Sequence, residues 1–438
     1  MTRLLTCLFC FFSCLCLSAA ELAPQRDKIE AVLAGQVQEA RVSWWGFHPE
    51  DSTRIFQAAL DSKVPKLIVD AMPTPWVTEQ LYVLDNQELA FEKGAVLQAK
   101  RGCFRGTGDS LVNILSKKNV TISGEDATLQ MWVEDYRSGD YKRGEWRHGI
   151  NIISSENVTI AGLTIRDTGG DAIYIGDKDN RTPCKNIHIT NVICDNNHRQ
   201  GISVISVEGL LIEKTIMKNT RGTAPAAGLD FEPNIASESL VDCVVRDCIV
   251  ENNEGCGYTF YFDHMDHTSK PISIRFENCI AINEKSYGVS LTTSNGRGGK
   301  EKEDVREKMG VQGRIEFINC RFENTGRHGI YIISKGYDGI DLVFQNHQLI
   351  NCGKQEGTYP IEIATRPEDA SLIGNITFDN IKITDSKDRR IINFKDYSWL
   401  EQDLRDITGT VELTRDGKTV PIKIDDAWMQ DVLKNKTK

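Results

Sequence analysis

The sequence has no excess of positive charge and, beyond its first 20 residues, no long hydrophobic run. It contains 52 Lys and Arg against 62 Asp and Glu, which gives a net charge of −10. An acidic chain binds nucleic acid and anionic membrane surfaces poorly, so we expect neither as a partner. No stretch after residue 20 approaches the ~18 apolar residues of a membrane-spanning helix, so we expect no membrane insertion.

The cysteines also lack the pattern of a disulfide framework. Four of the 13 lie within the first 20 residues, and the nine that follow include no Cys-x-x-Cys pair. The odd number does not imply a disulfide scaffold, although it leaves room for one or two bridges. Cys248, Cys279 and Cys320 recur at one position of a repeat, and we expect them to be buried small apolar side chains rather than metal ligands.

The first 20 residues have the pattern of an export signal. Arg3 precedes a nearly continuous apolar run from Leu4 to Leu17, and small residues follow at positions 18–20. This pattern predicts a secretory signal peptide over residues 1–20 and a secreted or periplasmic protein of residues 21–438.

A strand pattern repeats eight times along the chain. Its second and fourth residues are always apolar and its third is usually polar, which is the alternation of a strand with one buried face. The first residues of successive copies are 23, 29, 27, 29, 31, 41 and 31 positions apart. The eight copies begin at Gly149, Ala172, Gly201, Gly228, Gly257, Gly288, Gly329 and Pro360.

A second column of short polar residues accompanies the repeat. It contains Asp167, Asn196, Asn219, Asn252, Asn283, Asn324, Asn351 and Asp385. In stacked coils these side chains lie one above another, and we expect an inward-facing ladder in which the amides bond to each other and to the turn backbone.

The two columns together predict an all-β chain, a single-stranded right-handed parallel β-helix. No helical pattern separates the strands, which excludes alternating strands and helices. We place clear coils at about residues 148–396, weaker coils and a cap at 46–147, and a C-terminal cap at 397–438. A helix that begins near Asp51 with Phe56 and Leu60 on one face is the predicted N-terminal cap, because an open solenoid end exposes its core.

Several segments resemble a known superfamily. The stretches GEWRHGINIISSENVTIAGLTIRDTGGDAIYIGD, NNHRQGISVISVEGLLIE and GLDFEPN are similar to bacterial secreted right-handed β-helix proteins of the pectin-lyase-like superfamily. The resemblance implies this fold and an action on carbohydrate polymers, by members that include polysaccharide lyases, polygalacturonase-type hydrolases, mannuronan epimerases and phage depolymerases.

The resemblance does not extend to the motifs that set the reaction. Polygalacturonases have paired aspartates and a Gly-His-Gly, whereas this chain has the single Asp171 and the variants Arg147-His148-Gly149 and Arg327-His328-Gly329. Only the last of these resembles a mannuronan epimerase. A shared fold therefore leaves the reaction open.

The outward positions of the repeated strand locate the candidate site. Acidic, aromatic and polar residues concentrate there in the middle coils, between Ala172 and Asp263. Asp230 and Glu232 lie two apart on one strand face, ~6.5–7 Å between Cα atoms. That separation is near the ~6.5–9.5 Å of the two carboxyl groups in an inverting glycosidase, and side-chain rotation to ~5 Å would suit a retaining one.

We predict Asp230 and Glu232 as acid and base or nucleophile, with Asp177 and Asp263 as further catalytic carboxylates. Seven other residues near the same strands are predicted to bind substrate: Tyr174, His198, Arg199, Arg221, Asn234, Tyr261 and His264. The insertion at Thr293 to Gln312 and the aromatic segment at Asp135 to Trp146 are predicted to wall the groove.

The sequence therefore predicts a monomeric enzyme that hydrolyses glycosidic bonds in a polysaccharide or oligosaccharide, without a cofactor or metal. One alternative is a lyase or C5-epimerase acting on a uronate polymer, with Ca²⁺ held by the same carboxylates. The central outward positions contain no lysine that could serve as the base of a lyase, so we rank this alternative below hydrolysis. The other alternative is a noncatalytic carbohydrate-binding or adhesive β-helix, in which outward carboxylates would be scattered.

Overall fold

The computed structural model describes residues 21–293, 310–367, 369, 372–398 and 402–436. In this part of the chain, 33 strands form one 11-stranded and one 22-stranded sheet. Neighbouring strands are parallel, except in a C-terminal hairpin. The predicted signal peptide and most of the predicted wall insertion (residues 294–309) lie outside the described residues.

The N-terminal part contains short elements before the regular coils. They are α1 (Arg26–Leu33), β1 (Glu39–Arg41), a 3₁₀-helix (Val42–Trp45), α2 (Thr53–Asp61), β2 (Lys66–Val69), β3 (Trp76–Thr78), β4 (Leu81–Tyr82), β5 (Gln87–Phe91), β6 (Val96–Ala99), β7 (Val112–Leu115), β8 (Lys118–Gln130) and α3 (Val133–Arg137).

The coils follow as short strands joined by turns and loops. They are β9 (Ile150–Ile153), β10 (Glu156–Arg166), β11 (Ile173–Gly176), β12 (Cys184–Thr190), β13 (Ile193–Asp195), β14 (Ile202–Val204), β15 (Val207–Glu213), β16 (Ile216–Lys218), β17 (Leu229–Phe231), β18 (Leu240–Arg246), β19 (Ile249–Glu251), β20 (Tyr258–Phe262), β21 (Ile272–Glu277), β22 (Ile280–Ile282), β23 (Val289–Thr293), β24 (Gly313–Ile318), β25 (Arg321–Glu323), β26 (Ile330–Ile333), β27 (Asp341–Gln345), β28 (Gln348–Ile350), β29 (Ile361–Ala364), β30 (Leu372–Thr384) and β31 (Ile392–Lys395). The chain ends with β32 (Asp403–Arg415), β33 (Lys418–Ile424) and α4 (Asp426–Lys434).

The predicted strand repeat forms the 11-stranded sheet, which confirms the right-handed parallel β-helix. All eight copies are strands of this sheet, with β4, β7 and β31 completing it. Their third residues are in register, so that Tyr174, Ser203, Asp230 and Thr259 stand side by side. The apolar second and fourth residues point into the coil, as Ile173, Ile202, Leu229 and Phe231 show by being fully buried.

Both ends of the solenoid are covered. Phe56, Ala59 and Leu60 on α2 are fully buried, which confirms the helical cap before the coils. The C-terminal cap begins later than the predicted residue 397, because β32 still pairs in parallel with β30. The hairpin partner β33 and α4 cover the end, with Met429 fully buried.

The polar ladder differs from the prediction by one residue. Asn196, Asn219 and Asn252 adopt left-handed backbone, and their partly exposed amides stack along the outside; the Asn252 Nδ2 donates to the Asn219 Oδ1 at 2.8 Å. Asn tolerates this conformation, which turns the chain so that the next side chain points inward. The inward column is therefore fully buried and contains Thr168, Asn197, Thr220, Asn253, Glu284 and Thr325.

The described cysteines form no disulfide. All nine are free thiols, and Cys248, Cys279 and Cys320 are buried in one column of the core, as the repeat predicted.

Candidate functional site

The middle of the 11-stranded sheet carries a group of charged side chains on its outer face. Asp230 is the third residue of its repeat and points away from the core, and Glu232 follows two residues later on the same face. The Glu232 backbone N–H donates to the Val204 carbonyl at 3.0 Å, which continues the strand pairing to this residue. The two predicted catalytic carboxyl groups thus share one surface.

A buried arginine organises this surface. The Arg199 side chain is only 10% exposed, and its Nη2 donates to the Glu232 Oε2 at 2.5 Å. Its Nη1 lies 3.8 Å from the Asp171 Oδ2, and its Nε lies 4.0 Å from the Glu145 Oε2. We call Arg199, Glu145, Asp171, Asp230 and Glu232 the Arg199 cluster.

Asp230 lies in surroundings that favour its protonated form. It is fully buried, and burial together with the neighbouring Glu232 charge raises its pKa well above the ordinary value, against the opposing effect of Arg199. Its Oδ2 accepts a hydrogen bond from the Gln200 Nε2 at 2.8 Å. The Ala227 N–H donates to the Gln200 Oε1 at 2.7 Å and so fixes the orientation of that amide.

Asp171 and His148 form the adjoining part of the site. Burial raises the pKa of Asp171 to about 7. Burial and the nearby Arg199 charge lower the pKa of His148 to about 3, so the imidazole is neutral although it lies 3.3 Å from the Asp171 Oδ2. The His148 Nδ1 accepts from the Asp171 backbone N–H at 3.1 Å, and the ring stacks on Tyr174 with 4.7 Å between centroids. Tyr174, a predicted substrate-binding residue, therefore lies at the cluster.

Asp177 lies at the rim of this site. Its Oδ1 accepts from the Asn180 N–H at 2.8 Å, and burial raises its pKa. Burial, and to a smaller extent the charge of Asp177, raises the pKa of Glu238, whose carboxylate accepts from the backbone N–H of Asn234. Asn234 itself is exposed at the same rim.

Asp263 lies outside the Arg199 cluster. Its carboxylate forms a 2.6 Å ion pair with Arg366, and its side chain is only 2% exposed. Because this ion pair is separate from the carboxyl groups around Arg199, we leave Asp263 out of the catalytic group that we propose below. Tyr261 and His264 lie beside it, with their rings 5.9 Å apart, and His264 is exposed.

His198 and Arg221 face a different region, around α3. The His198 Nδ1 accepts from the Arg137 Nε at 3.1 Å, and its pKa is lowered to about 4 by burial and by Arg137. Arg221 forms a 3.0 Å ion pair with Glu134. The structure therefore separates these two predicted binding residues from Arg199, although His198 directly precedes Arg199 in the sequence.

Sequence reasoning missed Glu145, Asp171 and His148 as members of the site. His148 and Asp171 stand directly before the repeated strand, at the position that Gln200 occupies in the next coil. Extending that column backwards from Gln200 would have found them. Glu145 comes from the segment predicted as a wall, where Trp146 is 47% exposed.

Within the described ranges, no group of three or more His, Cys, Asp or Glu side chains is arranged to hold a metal ion. The same part of the chain includes no helix that is both long enough and apolar enough to span a membrane.

Comparison with known proteins agrees with this architecture. A family model described as a right-handed beta helix region matches residues 135–299. The chain is thus a right-handed parallel β-helix with the pectin-lyase-like fold. It is 26% identical over 254 residues to the SPbeta prophage-derived uncharacterized protein YorA of Bacillus subtilis, a match over 53% of this chain and 42% of that protein. The match therefore spans less than half of that relative's length.

Solved structures share the fold at low sequence identity. A tailspike protein of E. coli bacteriophage HK620, in complex with a pentasaccharide, has a TM-score of 0.59 and 12% identity over 84% of this chain and 65% of its own. An exopolygalacturonase from Thermotoga maritima has a TM-score of 0.57 and 14% identity over 92% and 98%. The Streptococcus pneumoniae surface protein and adhesin PfbA has a TM-score of 0.53 and 12% identity over 86% and 99%.

Proposed function

We propose that the protein is a carbohydrate-active enzyme that hydrolyses glycosidic bonds of a polysaccharide or oligosaccharide at the Arg199 cluster. The observation that carries the proposal is the grouping of four carboxyl groups around one buried guanidinium. Carboxyl groups crowded in this way titrate apart, which is how one comes to serve as acid and another as base. A solenoid that only binds carbohydrate does not need such a group of carboxyl groups. The structures that share the fold of this protein include both an enzyme and an adhesin.

Two of the four carboxylates are open to a substrate. The side chains of Glu232 and Glu145 are 28% and 27% exposed, and both approach Arg199. Contact with the same guanidinium keeps their oxygens below the ~9.5 Å upper separation of an inverting glycosidase pair. We assign Glu232 as the acid, because burial raises the pKa of the neighbouring Asp230 and so favours a proton held between these two carboxyl groups. Glu145 is then the base that activates water.

The same geometry favours elimination less. A lyase needs a free cation to neutralise the substrate carboxylate, whereas Arg199 already lies within 4.0 Å of three carboxylates. Elimination is therefore an outcome of the test rather than a second proposal.

The test is incubation of residues 21–438 with a panel of acidic and neutral glycans. New reducing ends without the ultraviolet absorbance of an unsaturated uronate indicate hydrolysis, and both signals together indicate elimination. We expect Glu232→Gln and Glu145→Gln each to lower kcat by at least about 100-fold.

The matched control is Glu316→Gln. Glu316 also pairs with an arginine, at 2.8 Å from Arg314, and its side chain is 25% exposed, but it lies on the 22-stranded sheet. A detected activity that survives both cluster substitutions, or is lost equally in the control, contradicts the assignment.

We also propose that the protein is exported through its N-terminal segment. The basic and apolar pattern of residues 1–20 supports this. Expression of the full chain should place a product that begins at Glu21 in the periplasm or medium, and expression of residues 21–438 should keep it in the cytoplasm. An uncleaved, cytoplasmic full chain would contradict the proposal.

A further inference from the structure

A second group of side chains lies on the same face of the 11-stranded sheet, towards the C-terminal end. Four aromatic rings stack there. Tyr287 and Tyr331 have 4.6 Å between ring centroids, His328 and Tyr331 have 5.3 Å, and His328 and Tyr359 have 6.2 Å at an interplanar angle of 2°. We call Tyr287, His328, Tyr331 and Tyr359 the aromatic platform, and its three tyrosines are partly exposed.

A buried polar network holds the platform in place. The His328 Nε2 lies 3.3 Å from the Glu362 Oε1, and the two side chains are 7% and 5% exposed. The His328 Nδ1 accepts from the Tyr359 N–H at 3.0 Å, and the Glu362 Oε2 accepts from the Asn393 Nδ2 at 3.0 Å. Both ends of the imidazole and both oxygens of the carboxyl group are thus fixed, as in a preorganised binding surface.

Two cations flank the platform. The Arg327 guanidinium lies 5.7 Å from the Tyr287 ring centroid and donates to the Tyr287 hydroxyl at 3.1 Å. Lys395 lies two residues after Asn393, the partner of Glu362, on the same strand β31, and its Nζ is 5.1 Å from the Tyr397 ring centroid. Among the described residues neither cation pairs with a carboxylate, whereas Arg366 and Arg389 on neighbouring coils do. Both cations therefore leave positive charge available to a ligand.

The platform and the Arg199 cluster belong to one surface. Tyr331 is in register with Asp230 through Thr259 and Ser290, three strand steps away. At the usual strand spacing this is about 14 Å. A glycan chain that follows the sheet across its strands therefore reaches both groups.

We propose that the aromatic platform, with Arg327 and Lys395, is a second binding site for an acidic sugar residue of the chain that is cut at the Arg199 cluster. The aromatic faces pack against the apolar C–H face of a sugar ring, and the two cations bind its carboxylate or sulfate. This inference rests on the proposed function for the cut, and it adds the substrate class, an anionic glycan several residues long.

The test measures binding without cleavage. Residues 21–438 carrying Glu145→Gln and Glu232→Gln are titrated by calorimetry with an oligogalacturonate, a sulfated galactan oligosaccharide and an uncharged galactan oligosaccharide of equal length. We expect one acidic oligosaccharide to bind at least about tenfold more tightly than the uncharged one, and its identity tells whether carboxylate or sulfate is recognised.

Platform substitutions locate the binding. Arg327→Gln with Lys395→Gln should remove the preference for the acidic oligosaccharide, and Tyr331→Ala should weaken binding of that oligosaccharide about tenfold. The matched control is Arg275→Gln, an exposed arginine on β21 of the other sheet. All four substituted positions are exposed or partly exposed, and circular dichroism checks that the variants fold.

The two proposals fail separately. Equal affinity for charged and uncharged oligosaccharides, or full binding by the Arg327 and Lys395 double variant, overturns the platform assignment whatever the enzyme does. Tight, platform-dependent binding by a protein that cuts no glycan overturns the hydrolase proposal and leaves the binding site standing.

Discussion

At the residue scale, the site depends on ionisable side chains that are buried. Asp171 and Asp230 are fully buried, yet they lie beside Arg199 rather than within the apolar core. Burial disfavours the charged form of a carboxyl group, and a nearby cation favours it. Burial is the larger effect for both, so each keeps a proton at a pH where an exposed aspartate has lost it. In the proposed chemistry only the proton of Asp230 is used, because Asp230 lies beside Glu232, the proposed acid.

Asp171 gives a pH dependence of stability that can be measured. Its pKa is about 7 in the folded protein against an ordinary value of 3.8, so between these values the folded state binds the proton and the unfolded state does not. The stabilisation is present below pH ~4 and is lost as the pH rises to 7, by about 4 kcal/mol at most.

Asp171→Asn removes this loss. We expect the free energy of unfolding of the variant, measured in denaturant at pH 4, 6 and 8, to rise relative to the wild type as the pH increases. Asp388→Asn is the control, because Asp388 is fully exposed. Parallel pH profiles for Asp171→Asn and the wild type would show that Asp171 titrates normally.

At the scale of elements, the repeat could be predicted and the site only in part. Alternating apolar residues set which face of each strand is buried, so the eight strands and the outward positions of Asp230 and Glu232 followed from the sequence. The inward ladder was displaced by one residue, because the left-handed turn residue reverses the direction of the next side chain.

Contacts made by loops did not follow from the repeat. The ion pair of Asp263 joins it to Arg366, 103 positions away, and Glu145 reaches Arg199 from a segment outside the strands. A strand pattern fixes the register of stacked coils, but it does not tell which residues the long side chains of the connecting loops contact. Those loop contacts determine which carboxylates lie together around Arg199.

At the scale of the whole molecule, the solenoid buries its thiols rather than pairing them. Secreted proteins usually oxidise their cysteines in pairs, whereas all nine described cysteines are free. Eight are buried, and only Cys103 is partly exposed. A parallel coil stacks equivalent residues one strand apart, so a thiol fits the column as a small apolar side chain.

This arrangement predicts how the thiols react in the proposed oxidising compartment. A disulfide reagent attacks only a thiolate that it can reach. We expect native protein of residues 21–438 to react at one thiol, and the same protein in denaturant to react at nine. Cys103→Ser should abolish the native reaction and leave eight thiols in denaturant. Fewer than nine thiols in the unfolded wild type would reveal a disulfide. If several thiols react in the native protein, the stacked coils must open often enough to expose the eight buried cysteines to the reagent.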